Sequence, residues 1–158
     1  MNIFLNQHQE MLRMLLENQV EFLLIGGYAV IFHGYARTTG DMDLWLRPTN
    51  ENKEKIILAL ANAGYESHEL NELSKLDFSK HILFSIGHQP EKIDFITQIN
   101  MVSFEEANQN RATIPFEGLQ VPVINLRELI LSKVNTGRAK DVADVEELQK
   151  ILNHNPKP

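Results

Sequence analysis

The chain has 158 residues, 43% of them hydrophobic, and a formal net charge of -6. That suits one compact domain with one core and excludes a disordered chain. The acidic balance confines any sequence-independent contact with DNA or RNA to a local basic patch, because phosphate contacts need Lys or Arg. No cysteine is present, so disulfides, thiolate chemistry and cysteine-based zinc sites are excluded. The stretch Met1 to Gln9 is polar and lacks a signal-like apolar region. No apolar run approaches the roughly 20 residues that span a bilayer. A single-domain, cytoplasmic protein without membrane contact is the expectation.

In chain order, Phe4 to Asn18 has the period of an amphipathic helix, with Leu5, Leu12, Leu15 and Leu16 on one face. Glu21 to Ile25 reads as a short buried strand, Gly26-Gly27 as a turn and Tyr28 to His33 as a short helix. After a loop from Gly34 to Gly40, Met42 to Leu46 reads as a strand stopped by Pro48. Thr49 or Asn50 is placed to cap a helix through Ala63, with Ile56, Ile57, Leu60 and Ala63 inward and Gly64 at its end. Ser67 to Leu76 fits neither period clearly. His81 to Ile86 and Lys92 to Ile96 read as strands joined by a turn around Gly87 and Pro90. Ser103 caps a helix to Asn110, with Glu106 placed for a capping box. Ala112 to Phe116 and Leu119 to Val123 form a hairpin around Glu117-Gly118. Asn125 caps a helix to about Asn135, and Arg138 to Leu152 is a last helix with Val142, Val145 and Leu148 inward. Central strands flanked by helices give a mixed α/β (α+β) domain.

The chemistry concentrates in acidic residues on strands. Asp41 and Asp43 are two apart, so a strand projects both to one face while Met42, Leu44 and Leu46 take the other. Two carboxylates on one face repel unless a cation lies between them, and Mg²⁺ takes one or two carboxylates plus substrate phosphates. Asp94 interrupts the apolar run Ile93-Asp94-Phe95-Ile96, where an unpartnered carboxylate would be costly. If its strand lies beside that of Asp43, three acids converge, enough for two ions clamping a phosphoryl transfer. A D-x-D pair alone more often marks a solvated edge. Gly26-Gly27 follows a strand and lets backbone come close to an anion, though such a pair is most often only a tight turn.

Together, Ile25-Gly26-Gly27, Asp41-Met42-Asp43-Leu44 and Ile93-Asp94-Phe95 resemble the nucleotidyltransferase superfamily of DNA-polymerase-β-like proteins. The string through Tyr28-Ala29, His33-Gly34 and Arg37-Thr38-Thr39 is similar to its small bacterial branch, which includes toxin-type and abortive-infection-type members. The resemblance is specific over Leu24 to Leu46 and looser beyond. It implies a mixed central sheet with helices packed mainly on one side and a C-terminal helical segment. It implies Asp41, Asp43 and Asp94 as catalytic and metal-holding residues, for two Mg²⁺ ions with Mn²⁺ as the alternative. Gly26, Gly27, Arg37, Thr39, Lys133 and Lys140 would bind the nucleotide. The reaction would move a nucleoside monophosphate from an NTP to an acceptor (tRNA, protein or small molecule) and release pyrophosphate. A toxin with an antitoxin partner and a silent nucleotide-binding module are the alternatives. Many superfamily members carry Ser where this chain has Gly27, which removes one hydroxyl contact to phosphate.

Several residues have a second, plainer reading. Arg37 pairs with phosphate or is a surface side chain. Lys133 reaches a triphosphate or lays its stem along the core. Arg138 and Lys140 open a helix where cations oppose the dipole unless an anion is near, although Asp141 and Asp144 offset them. Asp141 also reads as an ordinary first-turn acid. Trp45 shares a strand face with the aspartates and either stacks on a base or sits at the sheet periphery. His33 touches substrate or ends a loop, and His8, His68, His81, His88 and His154 lack metal-ligand spacing.

Overall fold

In a computed structural model, residues 3–154 are described; Met1 and Asn2, part of the polar opening stretch, and residues 155–158 lie outside it. The elements are α1 (Asn6–Glu17), β1 (Phe22–Ile25), α2 (Gly26–Phe32), β2 (Met42–Leu46), α3 (Asn50–Asn62), α4 (Ser67–Ser74), β3 (Leu83–Ile86), β4 (Ile93–Ile96), α5 (Phe104–Gln109), β5 (Ala112–Phe116), β6 (Leu119–Val123), α6 (Leu126–Lys133) and α7 (Ala139–His154). The strands form one mixed sheet in the order β3-β4-β2-β1-β6-β5. β1 runs antiparallel to β2 and parallel to β6, and β2 runs parallel to β4. Two antiparallel hairpins, β3–β4 and β5–β6, finish the edges.

The local rules explain most boundaries. Thr49 caps α3 by accepting from the Asn52 amide, Ser103 caps α5 through Glu106, and Asn125 caps α6 through Glu128. Glu117 and Gly118, both at positive φ, make the β5–β6 turn. The ambiguous segment after α3 is α4, where Leu73 alone is buried; it is tied down by Lys53 Nζ, which donates to the Ser74 and Leu76 carbonyls at 2.9 Å each. α2 begins at Gly26 itself, so the glycine pair is the first turn of a helix rather than a separate loop.

The core is built from Leu12, Leu15, Leu23, Leu24, Met42, Leu44, Leu46, Ile56 and Phe95, all essentially inaccessible. Each such side chain contributes roughly 1.5–3 kcal/mol of burial. Some inward assignments differ from expectation. Leu5 is exposed because it precedes α1, and Met11 and His8 fill that face instead, His8 Nδ1 lying 2.8 Å from the Tyr28 hydroxyl. Ala63 is exposed because α3 has already ended, and Ala59 takes its place. Val142 is 56% exposed, while Asp141, Asp144 and Leu148 form the buried face of α7. Those three are spaced by three and four residues, a helical stripe in which two members are acids.

Candidate active site

Strand pairing lines up four positions across the sheet. Ile25 pairs with Asp43, Asp43 with Asp94, and Asp94 with Ser85. Partners in a pleated sheet project to the same face, so Asp43 and Asp94 stand side by side on adjacent parallel strands. Gly26 follows directly at φ +66°, and a Cβ there would overlap Asp43 Oδ2. Glycine at 26 is therefore required twice, by the backbone angle and by the carboxylate packed against it. A Cβ at Gly27 would overlap the Thr39 hydroxyl and lie 3.3 Å from Arg37 Nη1. The Thr39 hydroxyl thus occupies the space that a side chain at position 27 would enter.

These residues open into a cleft of about 580 Å³ lined by Gly26, Gly27, Arg37, Asp43, His81, Leu83, Asp94, Asn100, Lys133, Thr136, Arg138, Lys140 and Asp141, among others. Its second wall is the α6–α7 segment. Asp43 is pushed up to about 6, first by burial, then by the charges of Asp94 and Asp41; Lys133 and Lys140 pull the other way and do not cancel it.

Asp41 is one step out of line. It precedes β2, and its Oδ1 accepts from Gln89 Nε2 at 2.6 Å. Lys92 Nζ lies between the acids, 3.8 Å from Asp41 Oδ2 and 3.3 Å from Asp94 Oδ1. Ser85 Oγ donates to Asp94 Oδ1 at 2.5 Å. Asp43 and Asp94 therefore meet, and Asp41 joins them across an ammonium rather than in the cleft. Among the described residues, no three His, Cys, Asp or Glu side chains gather closely enough to hold a metal ion as they stand. The site nevertheless fits a cation at Asp43 and Asp94: the two acids repel, and an ammonium has already settled at the edge of the pair.

The cations expected to bind nucleotide are held differently. Arg37 makes a two-pronged pair with Asp144, Nε to Oδ1 and Nη2 to Oδ2, both at 2.9 Å. Lys133 Nζ lies 3.2 Å from Asp141 Oδ1 and 3.0 Å from Asp144 Oδ2. Burial alone would raise the Asp141 carboxyl, but the Thr136 hydroxyl, Lys133 and Arg138 together hold it below its ordinary value. Asp141 is thus a buried anchor, not an ordinary first-turn acid. Lys140 lines the cleft, and its ammonium makes no hydrogen bond or ion pair among the described residues. Thr39 lies behind Gly27, its hydroxyl 3.4 Å from the Asp41 carbonyl.

One aromatic expectation is corrected, and for His33 the plainer of its two readings holds, a partly buried histidine at the end of α2. Trp45 is buried under α5, its indole N–H donating to the Thr97 carbonyl at 3.0 Å and its ring edge-on to Phe104 at 5.2 Å. It neither faces the cleft nor sits at the sheet periphery. His33 donates to the Ile124 carbonyl at 2.8 Å, and burial lowers its pKa; it is absent from the cleft wall. Lys92, Ser85 and Gln89 escaped the sequence reading. Lys92 had a signal, since it lies two residues before Asp94 and so shares its face. Ser85 and Gln89 needed the strand register.

Comparison with known proteins decides the family. The profile of a family described as "Nucleotidyltransferase of unknown function (DUF6036)" matches residues 3–154. The chain belongs to this nucleotidyltransferase family. Solved structures agree on the fold. A lincosamide antibiotic adenylyltransferase, LnuA, in its lincomycin-bound form is 18% identical with a TM-score of 0.56, over 96% of this chain and 99% of that one. A candidate nucleotidyltransferase of Thermotoga maritima, TM1012, is 16% identical with a TM-score of 0.59, over 98% of each chain. An antigenic nucleotidyltransferase-like protein of Paracoccidioides brasiliensis is 15% identical with a TM-score of 0.52, over 92% of this chain and 73% of that one. No curated protein matches at a significant level. Within the nucleotidyltransferase fold, the acid pair lies on the central strands β2 and β4 and the glycine pair opens α2. No helix among the described residues is long and apolar enough to cross a membrane.

Proposed function

We propose that the protein is a metal-dependent nucleotidyltransferase that moves a nucleoside monophosphate from an NTP to an acceptor hydroxyl and releases pyrophosphate. The observation that carries this reading is the pairing of Asp43 with Asp94 on neighbouring strands, beside a glycine that only a missing side chain makes room for. Two divalent ions, Mg²⁺ or Mn²⁺, held by Asp43 and Asp94 with Asp41 recruited, would neutralise the triphosphate and stabilise charge on the attacking and leaving oxygens.

The chain's own residues do the rest. Gly26 and Gly27 let backbone approach the phosphates. Thr39 packs behind the turn, its hydroxyl filling the space that a side chain at position 27 would enter, and so holds the glycine pair in place. Lys140 offers an uncommitted ammonium to the phosphate oxygens, while Arg37 and Lys133, pinned by Asp141 and Asp144, keep the second wall rigid and weakly positive. Asp94, at the outer end of the acid pair, takes the acceptor proton. With most basic groups of the cleft already matched by acids, a small molecule or a side-chain hydroxyl suits the acceptor side better than tRNA does.

The test is incubation with Mg²⁺ and each of four α-labelled NTPs, with cell lysate as the acceptor source. Wild type should transfer label, and Asp43→Asn and Asp94→Asn should not. A protein that binds NTP and labels nothing would be a silent binding module instead. Growth arrest on expression that Asp43→Asn abolishes would assign the activity to a toxin.

A further inference from the structure

We propose that Ser85 is itself an acceptor, so that the protein nucleotidylates its own β3 strand. The inference rests on the transferase reading above. Ser85 closes the row Ile25–Asp43–Asp94–Ser85 on the side away from the glycine pair. The donor's phosphates are thereby assigned to one end of the row and the acceptor to the other. At that acceptor end a hydroxyl is already in place: Ser85 Oγ donates to Asp94 Oδ1 at 2.5 Å. That is a charge-assisted bond at the short end of its range, aimed at the carboxylate that would remove an acceptor proton.

Other hydroxyls near the cleft are committed elsewhere. Ser132 donates to the Leu129 carbonyl at 2.7 Å, and Thr136 to Asp141 Oδ2 at 2.6 Å. Thr39 faces the Asp41 carbonyl. Among the described residues, Ser85 is the serine or threonine whose hydroxyl bonds a carboxylate of the strand row. Its strand is the sheet edge, Ser85 is exposed, and Leu83 on the same face is 63% exposed. Ser85 is not itself on the cleft lining, but Leu83 and Asp94, on either side of it, are, so its exposed hydroxyl lies at the cleft's edge.

The step balances without a further reactant. Ser85 Oγ forms a bond to the α-phosphorus as the bond from that phosphorus to the bridging oxygen breaks. Pyrophosphate leaves with the electron pair, and the hydroxyl proton passes to Asp94 and then to water. The product is a nucleoside phosphodiester on Ser85. It adds an anion beside Asp94 and fills the acceptor end, which makes the modification a brake on transfer to other acceptors.

The experiment uses the full chain. Intact mass and peptide mapping are measured on protein as purified, and again after incubation with Mg²⁺ and each of the four NTPs in turn. The expected result is one added nucleoside monophosphate on the peptide containing Ser85, released by a phosphodiesterase, retained in Ser85→Thr and absent from Ser85→Ala. Label on another residue overturns the assignment. So does label on lysate components while Ser85 stays bare, an outcome that leaves the transferase reading standing. Absence of pyrophosphate release from every NTP, with or without lysate, overturns both.

Discussion

The two walls of the cleft carry similar numbers of charges and treat them in opposite ways. On the helical wall, Arg37 and Lys133 are balanced by Asp141 and Asp144 through short, nearly inaccessible contacts, with Lys133 bridging the two acids. On the strand wall, Asp43 faces Asp94 with no cation of its own, and its pKa is driven up. Burying charge is expensive unless it is paired. A chain that satisfies that rule on one wall and breaks it on the other has stability written into the first and binding into the second. Lys92 relieves Asp94 from outside the cleft, and the repulsion left on Asp43 is energy that an incoming cation would release.

Mutations should separate the walls. The largest expected effect is on the strand side: Asp43→Asn or Asp94→Asn should lower label transfer by on the order of 10³-fold, as loss of a metal-holding group does, with no loss of metal-free thermal stability. On the helical side Asp144→Ala leaves Arg37 buried without its acid and Lys133 with Asp141 alone. It should cost about 3–5 kcal/mol in urea unfolding. If Asp144→Ala unfolds normally, or Asp43→Asn is badly destabilised, the division between the walls is wrong.

The pH dependence of metal-free stability comes next. Asp43 titrates at about 6 in the folded chain against 3.8 as the ordinary value, so the native state binds the extra proton between those pH values. Stability from this group is then highest below pH 4 and falls as pH rises to about 6, by about 2–3 kcal/mol. Asp43→Asn should flatten that part of the curve and leave the variant more stable than wild type at neutral pH. A wild-type curve that rises monotonically and a variant that follows it would contradict the raised carboxyl. The smallest effect belongs to Lys140→Ala, which should weaken NTP binding by roughly 1 kcal/mol, about fivefold, and leave the melting temperature unchanged. Lys133→Ala should disturb both.

Local rules in the sequence foretold the β5–β6 hairpin, the caps at Thr49, Ser103 and Asn125, and the strand faces of Asp43 and Asp94, because each follows from neighbours within a few residues. What they could not supply was adjacency. β2 and β4 are neighbours although β3 and two helices intervene in the chain, so the meeting of Asp43 with Asp94 depended on long-range pairing. The same gap hid Ser85. Asp41 was placed beside Asp43 by strand alternation, but it falls just before the strand and turns to Gln89 and Lys92. In α7 the apolar pattern points Val142 inward, whereas the buried stripe holds Asp141 and Asp144 because their partners Arg37 and Lys133 arrive from other elements. Hydrophobic patterning misplaces a helix face whose buried members are paired acids.

A direct test of the central claim is a Mn²⁺ and Mg²⁺ titration followed by thermal unfolding, comparing wild type with Asp43→Asn. The account predicts that wild type gains stability with added metal, because the ion relieves the acid pair, while the variant starts at or above the metal-free wild type and gains nothing. A wild-type protein indifferent to both ions, or a variant that gains as much as wild type, would contradict it.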